Sequence, residues 1–322
     1  MPTTQDLSLA IDLGGTKAAF AVIDAGGSLR ARSKRVSRPR GKAIPFDDLA
    51  EAAREVVWSA GVTWDDVRAA GVLVPGIYTP STGKAWAPNL WGWEEILLRP
   101  ELESRFPVPV RIDSDRSGYV LGEQWLGAAR GCTDVVFLAV GTGIGAGILS
   151  AGRLIRGSAG IAGAAGWFAV DPRWKQDYAH AGCWEAEAAG PALAQRAAAM
   201  LSSGGESVLP DMCGGLLSEL TAEMVTEAAR GGDFVAMKAV DETVEYLCMG
   251  IAGLISLLNP QVIVLGGGLM RATDLFLDPI RRGVLRWAQP IAAKQARIEV
   301  SQLGDDAGLF GAARLALHGE AP

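Results

Sequence analysis

Ser8-Leu9-Ala10-Ile11-Asp12-Leu13-Gly14-Gly15-Thr16-Lys17-Ala18-Ala19-Phe20-Ala21-Val22-Ile23 reads as a short apolar strand, a glycine turn and a second apolar strand. A further turn, Asp24-Ala25-Gly26-Gly27, closes the phrase. The same phrase returns later in the chain. Val135 to Val140 is a strand, Gly141-Thr142-Gly143 a turn, Gly145 to Leu149 a strand, and Ser150-Ala151-Gly152 a turn. Gly15-Thr16 aligns with Gly141-Thr142, and Ala25-Gly26 with Ala151-Gly152. A register kept over two turns points to a duplicated core in which each half carries a glycine turn. Two unrelated hairpins are the plainer alternative, because glycine turns between strands are common. Glycine turns allow backbone N–H groups to converge on an anion, and the missing Cβ lets a phosphate approach closely.

Outward from these hairpins, strand and helix patterns alternate. Phe46 to Ala60 has helical periodicity, and Arg68 to Val74 is a buried strand ending at Pro75-Gly76. Val108 to Ile112 is a strand, and Ser114 to Ala128 a helix with Val120, Leu121 and Trp125 on one face. The second half is mostly helical from Glu185 to Leu258, and Gln261 to Leu265 runs as a strand into Gly266-Gly267-Gly268. Alternation of this kind argues an α/β fold with mixed sheets. The apolar stretch Tyr246 to Leu269 is cut at Asn259-Pro260-Gln261 into a helix and a strand, which argues against a membrane span.

The bulk properties agree. A chain of 322 residues with 49% hydrophobic and 20% charged residues has material for a real core and for two domains. A net charge of −6 disfavours nucleic acid or an anionic membrane as the main partner. Cys132, Cys183, Cys213 and Cys248 are scattered, as expected of reduced thiols in the cytoplasm, and the polar Met1–Leu7 stretch gives no signal peptide pattern.

Several residues carry possible chemistry. Asp12 ends the first strand, where a carboxylate can orient Mg²⁺ through water or simply cap the turn. The turn has no Walker A spacing, and Gly141-Thr142-Gly143 lacks the following helix that a dinucleotide fold needs. Gly266-Gly267-Gly268 suits a flat ligand such as adenosine lying close to the backbone, or a strand-to-helix turn. Asp115 opens a helix behind Ser114, as a general base or as a first-turn acid on the helix dipole.

In order along nearly the whole chain, these segments resemble the ROK family of sugar kinases and repressors. The resemblance rests on Leu9 to Lys17, on Pro75-Gly76, and on Pro88-Asn89-Leu90 with Trp93. It continues through Asp113-Ser114-Asp115-Arg116-Ser117 to Leu121-Gly122-Glu123, Gly141 to Gly147, Asn259-Pro260 to Gly268, and Gly304 to Ala313. It implies a two-domain actin-like (ribonuclease H-like) ATPase fold with a duplicated core and a central nucleotide cleft. Residues 1–115 plus 300–322 would form the smaller domain and residues 116–299 the larger. It also implies transfer of the γ-phosphate of ATP, with Mg²⁺, to a hydroxyl of a hexose, amino sugar or cyclitol, by a cytoplasmic homodimer. On that reading Asp115 is the base. Gly14, Gly15, Thr16, Lys17, Gly141, Thr142, Gly143, Gly266, Gly267 and Gly268 hold nucleotide and phosphate. Asp12 serves Mg²⁺, and Asn89, Ser114, Asp115, Trp167 and Glu185 meet the acceptor.

Departures from the family pattern matter as well. Its catalytic Asp follows Asn, here Ser114; its E-x-G-H becomes Ala164-Ala165-Gly166-Trp167. Its C-x-C-G-x-x-G-C becomes Gln176 to Cys183, with only the last cysteine kept, so no zinc site is expected, His180 reads as a loop residue and Cys183 as a buried thiol. Trp86, Trp91, Trp167 and Trp184 are read as a possible apolar wall for the acceptor. These losses also keep open a catalytically silent sugar-binding or sensor protein on the same fold.

Overall fold

The computed structural model describes residues 6–15, 17–36, 46–87, 90 and 93–319. Thr16, Asn89 and Trp91 lie outside them. The chain divides into two compact units. The first holds residues 1–133, 147–162 and 301–322, and the second holds 134–146 and 163–300.

In the first unit, β1 (Leu7–Leu13), β2 (Lys17–Asp24) and β3 (Leu29–Val36) form an antiparallel meander. On the other side of β1 lie β4 (Val67–Val74) and then β8 (Val110–Ser114), both parallel to it. Helix α1 (Phe46–Ser59) and helix α2 (Leu98–Glu103) supply buried residues to the same core, Leu49, Val56 and Leu102 among them. A small separate sheet, β5 (Ile77–Thr79), β6 (Lys84–Ala87) and β7 (Trp93–Leu97), follows β4. Helix α3 (Asp115–Leu126) leaves the end of β8, and α12 (Ala307–His318) returns to pack on it. Gly311 is the residue that permits this approach, since a Cβ there would sit 1.9 Å from the Gly118 carbonyl oxygen.

The sheet order β3-β2-β1-β4-β8 is repeated as β11-β10-β9-β12-β13, from β9 (Val135–Val140), β10 (Ile144–Ser150), β11 (Arg153–Leu154), β12 (Val262–Gly266) and β13 (Arg297–Val300). In both sheets the last two strands run parallel to their neighbours. Duplication read from two glycine turns is therefore carried by the whole strand order. In the second unit the helices are α4 (Tyr178–Ala181), α5 (Cys183–Ala188), α6 (Gly190–Ser202), α7 (Leu209–Met212), α8 (Ala222–Arg230), α9 (Phe234–Leu258), α10 (Thr273–Trp287) and α11 (Pro290–Gln295). Asn259, at φ +45°, ends α9 in the left-handed conformation and turns the chain into β12. Among the described residues no helix is long and apolar enough to cross a membrane.

Three sequence expectations shift. The strand expected over 108–112 runs to Ser114, because Asp113 and Ser114, though polar, are buried. The division expected at 115/116 differs from that of the two compact units, the first of which keeps α3, where Gly118 and Gly122 lie against α12. His180 stands in the short helix α4 rather than in a loop.

Candidate functional site

In the first unit the strand ends place two carboxylates together. Asp12 closes β1 beside Leu73 of β4, and Leu73 pairs in turn with Asp113 of β8. Asp115 follows at the first position of α3. Both Asp12 and Asp115 keep some open surface, yet their carboxyls are crowded. A methyl at Gly308 would lie 2.1 Å from Asp12 Oδ2, so the start of α12 can cover Asp12 only as glycine. Burial, then the negative charge of Asp115, push the Asp12 carboxyl up to about 7. Burial pushes Asp115 up to about 6, against the opposing pull of the Arg116 N–H, which donates to Oδ1 at 2.7 Å. Tyr119, one turn into α3, is raised by burial and by both carboxylates. A half-open carboxyl that titrates near neutrality can accept a proton from a bound hydroxyl.

Ser114 has a different employment. Its side chain is buried, accepts from the Ser117 N–H at 3.2 Å and shares a 3.0 Å hydrogen bond with the Ser117 hydroxyl. It caps α3 and so fixes the helix start that carries Asp115. Asp113, just before it, is held by the fork of Arg156, whose Nε and Nη2 donate to Oδ2 at 2.9 and 2.6 Å. Sequence reading missed Arg156; only its partner's place beside Ser114-Asp115 hinted at it. Gly14 closes the first turn by donating to the Lys17 carbonyl at 2.8 Å, and Lys17 is exposed.

In the second unit, a cavity of about 570 Å³ is lined by Gly141, Thr142 and Gly268, with Thr221, Glu223 and Arg271 among other residues. Gly267 makes the entry turn at φ +90°, and a Cβ there would strike the Val140 carbonyl oxygen at 2.4 Å. Gly266 and Gly267 thus shape the turn while Gly268 lines the space. Gly143 lies elsewhere, against Glu185: a Cβ would meet its Oε2 at 2.6 Å. Glu185 accepts from the Ile144 N–H at 2.8 Å and, half-buried, is raised by desolvation. Gly166 abuts the same carboxylate, so the Ala164–Trp167 segment and Glu185 form one local surface, with Trp167 58% exposed. Trp184 does not belong to it. Its ring is fully buried against Gly250 and stacks on Phe168, so the expectation of an apolar wall there is corrected: it is core. Sequence reading also missed Thr221, Glu223 and Arg271, which belong to no motif and reach the cavity only through the fold.

The segment 163–183, which includes α4, is tied down by side chains. Tyr178 and Lys175 donate to Glu187 Oε1, and Arg196 Nη2 lies 3.2 Å from Oε2. Cys183 is buried, with the Val170 N–H 3.3 Å from its Sγ. Among the described residues no three His, Cys, Asp or Glu side chains gather as a metal-ligand set.

The ROK family model matches residues 8–318. The chain belongs to the ROK family. A glucokinase of Halalkalibacterium halodurans is 31% identical over 94% of this chain and 92% of its own length. Among solved structures, a ROK family glucokinase from Streptomyces griseus in complex with glucose and AMPPNP is 32% identical, covers 96% of this chain and 99% of its own, and superposes with a TM-score of 0.76. A ROK hexokinase from Thermus thermophilus is 29% identical, with coverages of 96% and 98% and a TM-score of 0.78. This ROK protein therefore has the two-domain actin-like ATPase fold of those kinases.

Proposed function

We propose that this ROK protein is a kinase that transfers the γ-phosphate of ATP to a hydroxyl of a sugar or sugar-like polyol. The observation that carries the reading is the half-open Asp115 carboxyl at the start of α3, pushed to about 6 beside a second raised carboxylate, Asp12. The AMPPNP and glucose held by the Streptomyces griseus relative support the two substrates. The donor set also fits them. A 570 Å³ cavity that Gly141, Gly190 and Gly268 line beside Thr142, Thr221 and Arg271 suits adenosine, and Asp12 is a carboxylate whose raised titration a bound Mg²⁺ would reverse.

When bound, Mg²⁺–ATP supplies the electrophilic phosphoryl group. On this reading Asp115 would accept the proton of the acceptor hydroxyl as that oxygen bonds to the γ-phosphorus, while the bond from the γ-phosphorus to the β-phosphate oxygen breaks and ADP leaves. Asp12 would hold the cation, through water. Gly14, Gly15 and Lys17 in the first unit, with Thr16 of the same turn lying outside the described residues, and Gly141 and Thr142 in the second are the residues that would receive phosphate oxygens, and Gly268, at the end of the Gly266-Gly267-Gly268 turn, would line the nucleoside space. Ser114 positions Asp115 by capping α3; Glu185 and Trp167 would meet the acceptor, and Asn89, outside the described residues, is expected to do so as well. A cytoplasmic homodimer without structural zinc is the setting we propose for it.

Replacement of a Glu and a His of the family pattern by Ala164 and Trp167 favours a second reading, a sugar-binding protein without turnover. One experiment separates them: an ADP-release screen over hexoses, amino sugars and cyclitols, run beside Asp115→Asn. Turnover with any acceptor, lost in the variant, supports the kinase. Saturable sugar binding without ADP release supports the sensor.

A further inference from the structure

Arg314 is an energetic anomaly in the first unit. It sits near the end of α12 with 8% of its surface exposed, and its Nη1 is buried without a hydrogen-bond partner. No ion pair among the described residues includes it, and burial alone accounts for the depression of its guanidinium. A buried, unpaired charge is strongly unfavourable, and folded proteins pair such groups.

Its surroundings add positive charge. His318 follows one turn later on α12, the spacing that puts two side chains on one helix face. Arg111, the second residue of β8, donates from Nη1 to the Leu315 and Ala316 carbonyls at 3.2 and 2.7 Å. Arg68, the second residue of β4, pairs with Asp6 at 3.1 Å. Burial, then Arg314, Arg68 and Arg111, press the His318 imidazole down to about 4, so all three arginines act on one point. Among the described residues, the one carboxylate that pairs with any of these arginines is Asp6, and the negative end of α12 adds roughly half a charge, so positive charge is in excess there.

We propose that Arg68, Arg111, Arg314 and His318 form an oxyanion site that takes inorganic phosphate or the phosphate group of a monoester. It is separate from the Asp12–Asp115 site and does not depend on the kinase reading. Arg68 and Arg111 stand at the starts of β4 and β8, whereas Asp12 and Asp115 stand at or beyond strand ends. Helix α12 joins the two regions: Gly308 touches Asp12, and Arg314 and His318 lie about 9–15 Å further along at 1.5 Å per residue.

The chain has two histidines, His180 and His318, which permits a site-specific test. Imidazole ¹⁵N resonances of the full chain are followed while inorganic phosphate replaces chloride at constant ionic strength, with His180→Gln for assignment. Phosphate is expected to move the His318 resonances saturably and to raise its titration midpoint from about 4. Arg314→Met keeps the apolar stem and removes the charge, and should abolish the response. Arg68 is half exposed, so Arg68→Ala provides a folded variant in which the midpoint concentration rises several-fold. An unmoved His318 at tens of millimolar phosphate, or a response unchanged in Arg68→Ala, overturns the proposal.

Discussion

Glu187→Ala is the substitution from which the most stability is expected to be lost. Glu187 is 6% exposed and takes a proton donor from each of Tyr178, Lys175 and Arg196. The contributions are unequal. The Lys175 side chain is 47% exposed, so its pair is worth no more than about 1 kcal/mol. Arg196 is only 11% exposed; its Nη1 still reaches the Thr243 hydroxyl and its Nη2 the Glu187 carbonyl, at 2.6 and 2.7 Å, and its Nε stays 3.5 Å from the more exposed Glu242 carboxylate, but its charge would lose its buried partner. Removing one side of such a pair costs about 3–5 kcal/mol. At roughly 2–4 °C per kcal/mol, the melting transition should fall by about 6–20 °C. Glu187 shares α5 with Glu185, so the variant should also raise the KM for the acceptor more than the KM for ATP. Scanning calorimetry with Lys175→Ala as the exposed control tests the first claim, and steady-state kinetics tests the second. A melting point within about 2 °C of wild type would refute the idea that this network holds the 163–183 segment.

Asp115→Asn should lower turnover by about 10²–10⁴-fold while leaving ATP binding near its original strength; retained turnover would make Asp115 only a helix-start acid. A plot of kcat/KM against pH should fall with unit slope below about pH 6, because the raised Asp115 carboxyl must be ionised to accept a proton. For stability the sign is opposite: Asp12, raised from 3.8 to about 7, stabilises the metal-free fold fully below pH 3.8 and loses that contribution as pH rises through 7, a slope that Asp12→Asn should flatten in thermal melts. Elemental analysis should find no stoichiometric zinc, and chelator should still stop turnover by removing Mg²⁺. Glucose should be a poor acceptor, since a lost polar partner costs about 1–3 kcal/mol. Ala164→Glu with Trp167→His should restore at least tenfold of its kcat/KM, about 1.4 kcal/mol, relative to the best acceptor.

Duplication was legible because glycine turns sit at equivalent places in both halves, and turn chemistry is local. Strand β3 was not, since Leu-Arg-Ala-Arg-Ser-Lys-Arg-Val alternates toward solvent and contributes almost nothing to a core. Its charges suit an exposed edge, where they discourage pairing with other chains. The end of β8 was misplaced for a related reason. Asp113 is polar by type, and its burial is made tolerable by the Ser114 N–H and, above all, by the Arg156 guanidinium, 43 residues away. Periodicity reads burial from residue type and cannot see a partner that the fold brings from afar.

The same limit separates the two halves of the candidate site. Asp12, Asp115 and the glycine loops could be found because their chemistry lies in short contiguous segments. Glu187, Arg196 and Tyr178 could not, because no one of them is unusual and their meaning arises from convergence on a single carboxylate. Trp184 shows the converse error: closeness in sequence to Glu185 suggested a shared surface, but adjacent helical positions point about 100° apart at 3.6 residues per turn. Glu185 turns toward Gly143 and Gly166, while Trp184 turns into α9 at Gly250. On the proposed function, sequence motifs name the groups suited to phosphoryl transfer, whereas acceptor choice is expected to depend on what surrounds Glu185, a surface set by helix phase and long-range pairing.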